Sequence, residues 1–210
     1  MKKFNLKNLK IKKLDIALFI GIIIAILVSS TNTFATDLEG ISDNVLRLHI
    51  LANSNSDEDQ ALKLKVRDEI LKESSELFTE GKSRLEVEKL VLDNMDKIQK
   101  IAEKVIADNG YNYPVKCELT HMNFDTRVYD NITLPAGDYD ALRITIGSAQ
   151  GKNWWCVMYP SLCVAPSIKN SDLQTFSKSQ VKVLKQPAKY QVRFKCVDVF
   201  NSIKSFFGIK

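Results

Sequence analysis

From Leu14 to Val28 the chain is apolar almost without interruption, Asp15 being the exception. At 46–51 the pattern alternates. Leu46, Leu48 and Ile50 point one way and Arg47, His49 and Leu51 the other, which predicts a strand. Ala52 to Ser56 is a polar loop by composition. Ser56 and Asp59 stand at capping-box spacing, and Asp57, Glu58 and Asp59 sit where the positive end of a helix favours acids. The period then becomes helical: Leu62, Val66 and Ile70, joined by Leu71 and Leu77, form one stripe running to about Phe78. Lys63 and Arg67 share a face of this helix and are expected to pair with Asp59 and Glu58. After a link around Gly81, Ser83 and Glu86 open a second helix. Its apolar face is Val91, Met95, Ile98, Ala102 and Val105, and Asn109-Gly110 stops it.

Beyond Gly110 alternation returns. Tyr113–Thr120, Phe124–Ile132, Tyr139–Gly147, Trp154–Tyr159 and Tyr190–Cys196 read as strands. Leu134–Asp138 is a turn, Ser148–Asn153 a polar link, Leu173–Leu184 a short helix and Val197–Phe207 a terminal amphipathic segment. A strand, two helices and then several strands predict a single α+β domain, with two long helices packed on a mainly antiparallel sheet.

Residues 1–35 have the make-up of a targeting segment. Lys2, Lys3, Lys7, Lys10, Lys12 and Lys13 precede the apolar run, and Thr33-Phe34-Ala35 offers small residues at signal-peptidase spacing. The run is roughly 15 residues, short of the about 20 of a comfortable bilayer span. The expectation is a signal peptide cleaved after Ala35, with an uncleaved N-terminal anchor as the alternative. Residues 36–210 then form an extracytoplasmic domain.

This division changes the charge argument. The chain carries 30 Lys+Arg against 25 Asp+Glu, but six Lys and one Asp lie in residues 1–35. The remainder is balanced, so the basic pI gives no support for a nucleic-acid partner. Within the remainder, residues 36–140 are net acidic and 141–210 net basic. That polarity suits either internal complementarity or a charged partner.

An exported chain of this size can oxidise its cysteines, which are Cys117, Cys156, Cys163 and Cys196. Cys156 and Cys163 are close enough for a local bridge across Pro160. Cys117 and Cys196 lie in strand-like runs and pair only if those strands are neighbours. Four buried thiols are the plain alternative.

Nothing in the chain forces an enzyme. G-x-S-x-G, H-E-x-x-H, C-x-x-C and a glycine-rich phosphate loop are all absent. His49 and His121 are the only imidazoles. Cys163 with His121 is the remaining nucleophile–base pair, and Ser54 and Ser56 are accounted for by turn and cap duty. No catalytic residue, metal or cofactor is implied. The candidates for partner binding are Arg47 and His49 on one strand face, the loop residues Asn53, Ser54, Asp57 and Asp59, and Trp154 and Trp155. Alternation places these tryptophans on opposite sides of a strand. One can fill a core, and the other needs a helix, a loop or a partner to cover it. The alternative for the loop is a helix cap and nothing more.

The stretches LRLHILANSNSDEDQALKLKVRD, ITLPAGDYDALRITIG and GKNWWCVMYPSLCV together resemble the stage II sporulation protein R family, most densely over Leu46–Val164. In the first, Arg47, His49, Asn53, Ser54, Asp57, Asp59, Gln60, Lys63, Lys65, Arg67 and Asp68 stand where the family pattern has them. In the third, Asn153, Trp154, Trp155, Cys156, Pro160, Leu162 and Cys163 do so. Ser161 departs, standing where a second proline is expected. Cys117 and Cys196 fall outside the pattern. The resemblance implies a signalling protein of endospore-forming bacteria, made in the forespore and exported to the space between the forespore and mother-cell membranes. It further implies that the protein activates a membrane-bound aspartic protease that removes the pro-sequence of the sigma-E precursor. Membrane contact is then expected only through residues 1–35 or the partner. A secreted envelope-acting enzyme using His49 and Asp57, and a structural envelope protein, are the rival classes.

Overall fold

The computed structural model describes residues 13–73, 83–160, 162 and 173–185, with backbone alone at 13, 24 and 26–33 of the first helix. The expected strand at 190–196, the terminal segment, Cys163 and Cys196 lie outside the described residues.

Helix α1 runs from Lys13 to Asp43. In its first half Leu14, Ile16, Leu18, Phe19, Ile20, Ile22 and Ile23 are all exposed. Its last turns behave differently, with Phe34 and Ile41 buried. Among the described residues no helix is long and apolar enough to cross a membrane.

β1 (Leu46–Leu51) follows, then α2 (Asp57–Glu73), α3 (Arg84–Asp93) and α4 (Met95–Asp108). β2 (Val115–Phe124), β3 (Arg127–Tyr129), β4 (Ile132–Leu134), β5 (Gly137–Ile146), β6 (Asn153–Tyr159) and α5 (Lys178–Lys185) complete the described elements. Among the described residues four strands form one sheet in the order β2-β5-β1-β6, and β3 and β4 pair only with each other. β1 is parallel to β5 and antiparallel to β6, while β2 is antiparallel to β5. The expected α+β architecture and mainly antiparallel sheet are present.

The sheet is covered on both sides because β1, flanked by strands, alternates two kinds of core contact. Leu46, Leu48 and Ile50 face α2, α3 and α4, where they meet Leu62, Val66, Ile70, Val91, Ile98 and Ala102. Across the sheet Ala141, Tyr139, Val157 and Phe124 pack with Phe34 and Ile41 of α1, Val183 and Leu184 of α5 and Leu134 of the β3–β4 hairpin. Each fully buried Val, Leu or Ile contributes about 1.5–3 kcal/mol by leaving water.

The expected second helix is two helices. Asn94 breaks it at φ −111°, ψ 13°, and its side-chain amide donates to the Leu90 carbonyl at 2.8 Å. An Asn that competes for backbone acceptors in this way favours caps over helix interiors. The apolar stripe continues across the break, which is why periodicity alone gave no sign of it. The Ser83–Glu86 capping box is fully formed. The Phe124–Ile132 stretch is a hairpin that turns at Asp130, whose φ is 45°.

Candidate functional site

The loop after β1 is a hub of hydrogen bonds built around one buried carboxylate. Ser56 caps α2: its hydroxyl accepts from the Asp59 amide at 3.2 Å. The reciprocal half of the box is not made, because the Asp59 carboxylate turns inward. Its Oδ2 accepts from Ser54 Oγ at 2.6 Å and from Asn53 Nδ2 at 2.8 Å. Burial alone would raise the Asp59 carboxyl. Hydrogen bonds from Ser54, Asn53 and Tyr113 outweigh it, and the group lies below the ordinary carboxylate range.

Asn53 ties this loop to the β5–β6 loop. Its Oδ1 accepts from the Ser148 amide at 2.9 Å, and its carbonyl accepts from Ser148 Oγ at 2.7 Å and the Gln150 amide at 3.1 Å. Two glycines permit the approach. Gly147 has φ +59°, and a Cβ there would strike the Asn53 side chain; a Cβ on Gly151 would strike the Ser54 carbonyl. Gln60 Nε2 donates to the Ser54 carbonyl at 2.8 Å, so Asn53, Ser54, Asp59 and Gln60 act as one clasp. Asn55, Ser56, Asp57 and Glu58 form the exposed rim of that clasp.

The basic residues of α2 do not pair as expected. Lys63 is buried and its ammonium donates to Gln60 Oε1 at 2.7 Å and to the Lys152 carbonyl at 2.8 Å. Burial lowers its pKa, and the Lys152 and Arg67 charges add to the effect. Arg67 bridges Asp68 at 2.6 Å and lies over the Trp154 ring at 4.4 Å. Here side-chain reach toward the β5–β6 loop and β6 overrides the i,i+4 neighbours on the same helix.

Arg47 and His49 do share a strand face, but they are 0% and 3% exposed. The Arg47 guanidinium lies 4.0 Å from the Phe124 ring centroid and 4.9 Å from that of Tyr139, and Nη2 donates to Tyr129 Oη at 2.7 Å. His49 stacks on Trp155 at 3.8 Å, and its Nε2 pairs with Asn153 Oδ1 at 2.9 Å. Burial lowers the imidazole to about 4, against the opposing bond to Asn153 and with help from the Arg143 charge. The ring is neutral near pH 7, so Nε2 carries the proton that the carboxamide oxygen accepts.

The two tryptophans divide as alternation requires. Trp154 is half-buried against the helix-side core and Trp155 against the other core. The candidates therefore fall into two groups on opposite sides of the sheet. The clasp and Trp154 lie with α2; Arg47, His49 and Trp155 lie under the β3–β4 hairpin. Asp57 is the exposed member of the set and Asp59 a buried one.

Sequence reasoning missed Ser148, Tyr113, Phe124 and Tyr129 as partners of these groups. The paired Gly147 and Gly151 around the Ser148–Asn153 link were the available signal of a close approach. Cys117 is a free, half-buried thiol, pushed up to about 12 first by burial and then by the Glu103 charge, so it does not pair with Cys196. Cys156 is buried and is not among the free thiols. His121 is exposed and bonds Asp140 at 2.9 Å, which also holds Arg84 at 2.7 Å. No group of His, Cys, Asp and Glu able to hold a metal occurs among the described residues.

Residues 42–170 match the family model described as stage II sporulation protein R. A relative bearing that name in Bacillus subtilis (strain 168) is 36% identical over 147 residues. The alignment takes in 68% of this chain and 66% of the relative, so the chain spans somewhat less than two thirds of that protein's length. No solved structure matches. The matched region holds both groups of candidate residues, and the chain belongs to the stage II sporulation protein R family.

Proposed function

We propose that this protein is an exported sporulation signal that activates a membrane-bound aspartic protease, which then removes the pro-sequence of the sigma-E precursor. It acts by binding and carries no catalytic duty of its own. Family membership supports the sporulation role. The observation that carries the binding reading is the state of the polar motif. Ser54, Ser56 and Asp59 are committed to a clasp and a cap, and His49 is buried in a ring stack. None of these serines bonds a histidine, as a nucleophile–base pair would require. What the motif offers outward is a rigid acidic rim, Asn55 to Glu58, on a strand end and a helix N-terminus. Loops fixed by such scaffolds are the usual carriers of recognition.

Export would depend on residues 1–35, whose lysines and exposed apolar helix suit a signal peptide or anchor. The site of action is then the space between the forespore and mother-cell membranes. Phe34 packs in the second core, which supports retention of α1. A local Cys156–Cys163 disulfide belongs to the same exported setting. The test is co-expression of the exported chain with the protease and the sigma-E precursor in a host lacking all three. Precursor processing that requires this chain is the expected result. Processing at full rate without it would remove the reading.

A further inference from the structure

Arg47 is fully buried, yet its charge has no carboxylate partner among the described residues. Of its nitrogens, Nη2 meets the Tyr129 hydroxyl, while Nε and Nη1 are buried without an acceptor among the described residues. A guanidinium placed this deeply ordinarily makes charge-assisted bonds to an anion, because aromatic faces return only part of the lost hydration. Beside it on the same strand face, His49 Nδ1 is also buried and unbonded. Phe124 stands against both residues, with its ring 4.0 Å from the Arg47 guanidinium and its centroid 6.4 Å from that of His49. The result is a box with aromatic walls that holds the unused N–H groups of Arg47 and the unprotonated Nδ1 of His49.

The wall that closes the box is anchored through β4, whose Ile132 and Leu134 are buried in the core, and is peripheral through β3. β3 supplies Tyr129, pairs only with β4 among the described residues, and exposes Arg127 and Val128 to solvent. Moving β3 alone away from Arg47 breaks the Tyr129 hydrogen bond and the short ladder to β4, and leaves both the four-stranded sheet and the buried β4 in place.

We propose that the Arg47 box is a carboxylate-binding site, entered beneath β3, and that a single carboxylate completes the coordination of Arg47. A monoanion matches one guanidinium in a dry aromatic setting, whereas a phosphate dianion would leave an uncompensated negative charge there. Neutral His49 can take up a proton as that negative charge arrives, so the pair adapts to the ligand. The carboxylate comes either from an acidic side chain of the protein partner or from a small carboxylic acid. In the first case the inference deepens the recognition role proposed above and rests on it.

The test uses the full chain in detergent and contains no protease, so its failure and that of the activator reading are separable. Trp154→Phe leaves Trp155, stacked on His49 beside the box, as the single tryptophan reporter. Its fluorescence is titrated with sodium acetate against sodium chloride at matched ionic strength, and with a blocked peptide containing one Glu. The expected result is a saturable response to carboxylate that chloride does not give and that Arg47→Met abolishes. A tighter response to the peptide assigns the site to a partner side chain, and a tighter response to acetate assigns it to a small acid. Tyr129→Phe keeps the arginine and loosens the hairpin, and should tighten acetate binding severalfold. Equal responses to acetate and chloride, an undiminished response in Arg47→Met, or weaker binding in Tyr129→Phe would overturn the proposal.

Discussion

His49 lies flat on Trp155, with ring centroids 3.8 Å apart and planes 13° from parallel. The stack crosses from the central strand β1 to β6 at a position where the two residues are paired in register. It covers one face of an ionisable ring that is itself buried, and the imidazole is held near 4 in place of 6.5.

That depression fixes a pH dependence. Between about 4 and 6.5 the unfolded chain binds a proton at His49 that the folded chain does not, so stability rises with pH over this window. The contribution is fully present above about 6.5 and is lost as pH falls toward 4, amounting to on the order of 3 kcal/mol. Urea unfolding at several pH values should show it, and His49→Phe, which keeps an aromatic ring on Trp155, should flatten the slope by that amount. Parallel slopes in the two proteins would show that His49 titrates normally when folded.

The clasp predicts a separation between stability and signalling. Asp59→Ala strands the Asn53 and Ser54 donors and should cost about 3 kcal/mol. Ser56→Ala removes a cap worth about 1 kcal/mol. Asp57 is exposed, and Asp57→Ala should leave the melt within about 0.5 kcal/mol while reducing protease activation. Thermal melting beside a precursor-processing assay compares the three. Loss of activation by Asp57→Ala only in proportion to lost folded protein would make the rim structural.

Alternation and helical period made much of this fold legible. β1, β6, the stripe of α2 and the Ser83 capping box all follow from local spacing, and so does the division of Trp154 from Trp155. The break at Asn94 was not legible because the apolar stripe runs on through it. The burial of Arg47 and His49 was hidden for a different reason. Alternation says which residues share a face, but only the long-range arrival of α1, α5 and the β3–β4 hairpin says that this face is covered. Asn53 looked interchangeable with any polar loop residue. Its role depends on Ser148, which the sequence places far along the chain, and on two glycines that admit its side chain.

Phe34 ties α1 to the domain. It is 4% exposed in the core beneath the sheet, and Phe34→Ala in the full chain should cost about 3–5 kcal/mol. A chain beginning at Thr36 should show a loss of similar size relative to one beginning at Ser30, read by urea denaturation. N-terminal sequencing of the exported form then tells which version acts. Equal stability of the two truncations would show that Phe34 contributes nothing to the domain.

Cys156 lies in β6 with Cys163 seven residues on. A bridge between them, closing so short a loop, should contribute roughly 2–3 kcal/mol. Peptide mapping of exported protein without reductant should recover the two cysteines in one linked fragment. Two free thiols would remove the bond.

The central claim is that this protein signals from outside the cytoplasm by activating a protease. Its most direct measure is the ratio of processed to unprocessed sigma-E precursor in the reconstituted host. Two forms of the chain are compared at equal amount: the intact one, and one blocked from export by Leu18→Asp, Ile20→Asp and Ile22→Asp, which leaves Phe34 and the whole domain in place. The account predicts processing with the intact chain and background processing with the blocked one. Equal processing in the two, or processing without either, would contradict it.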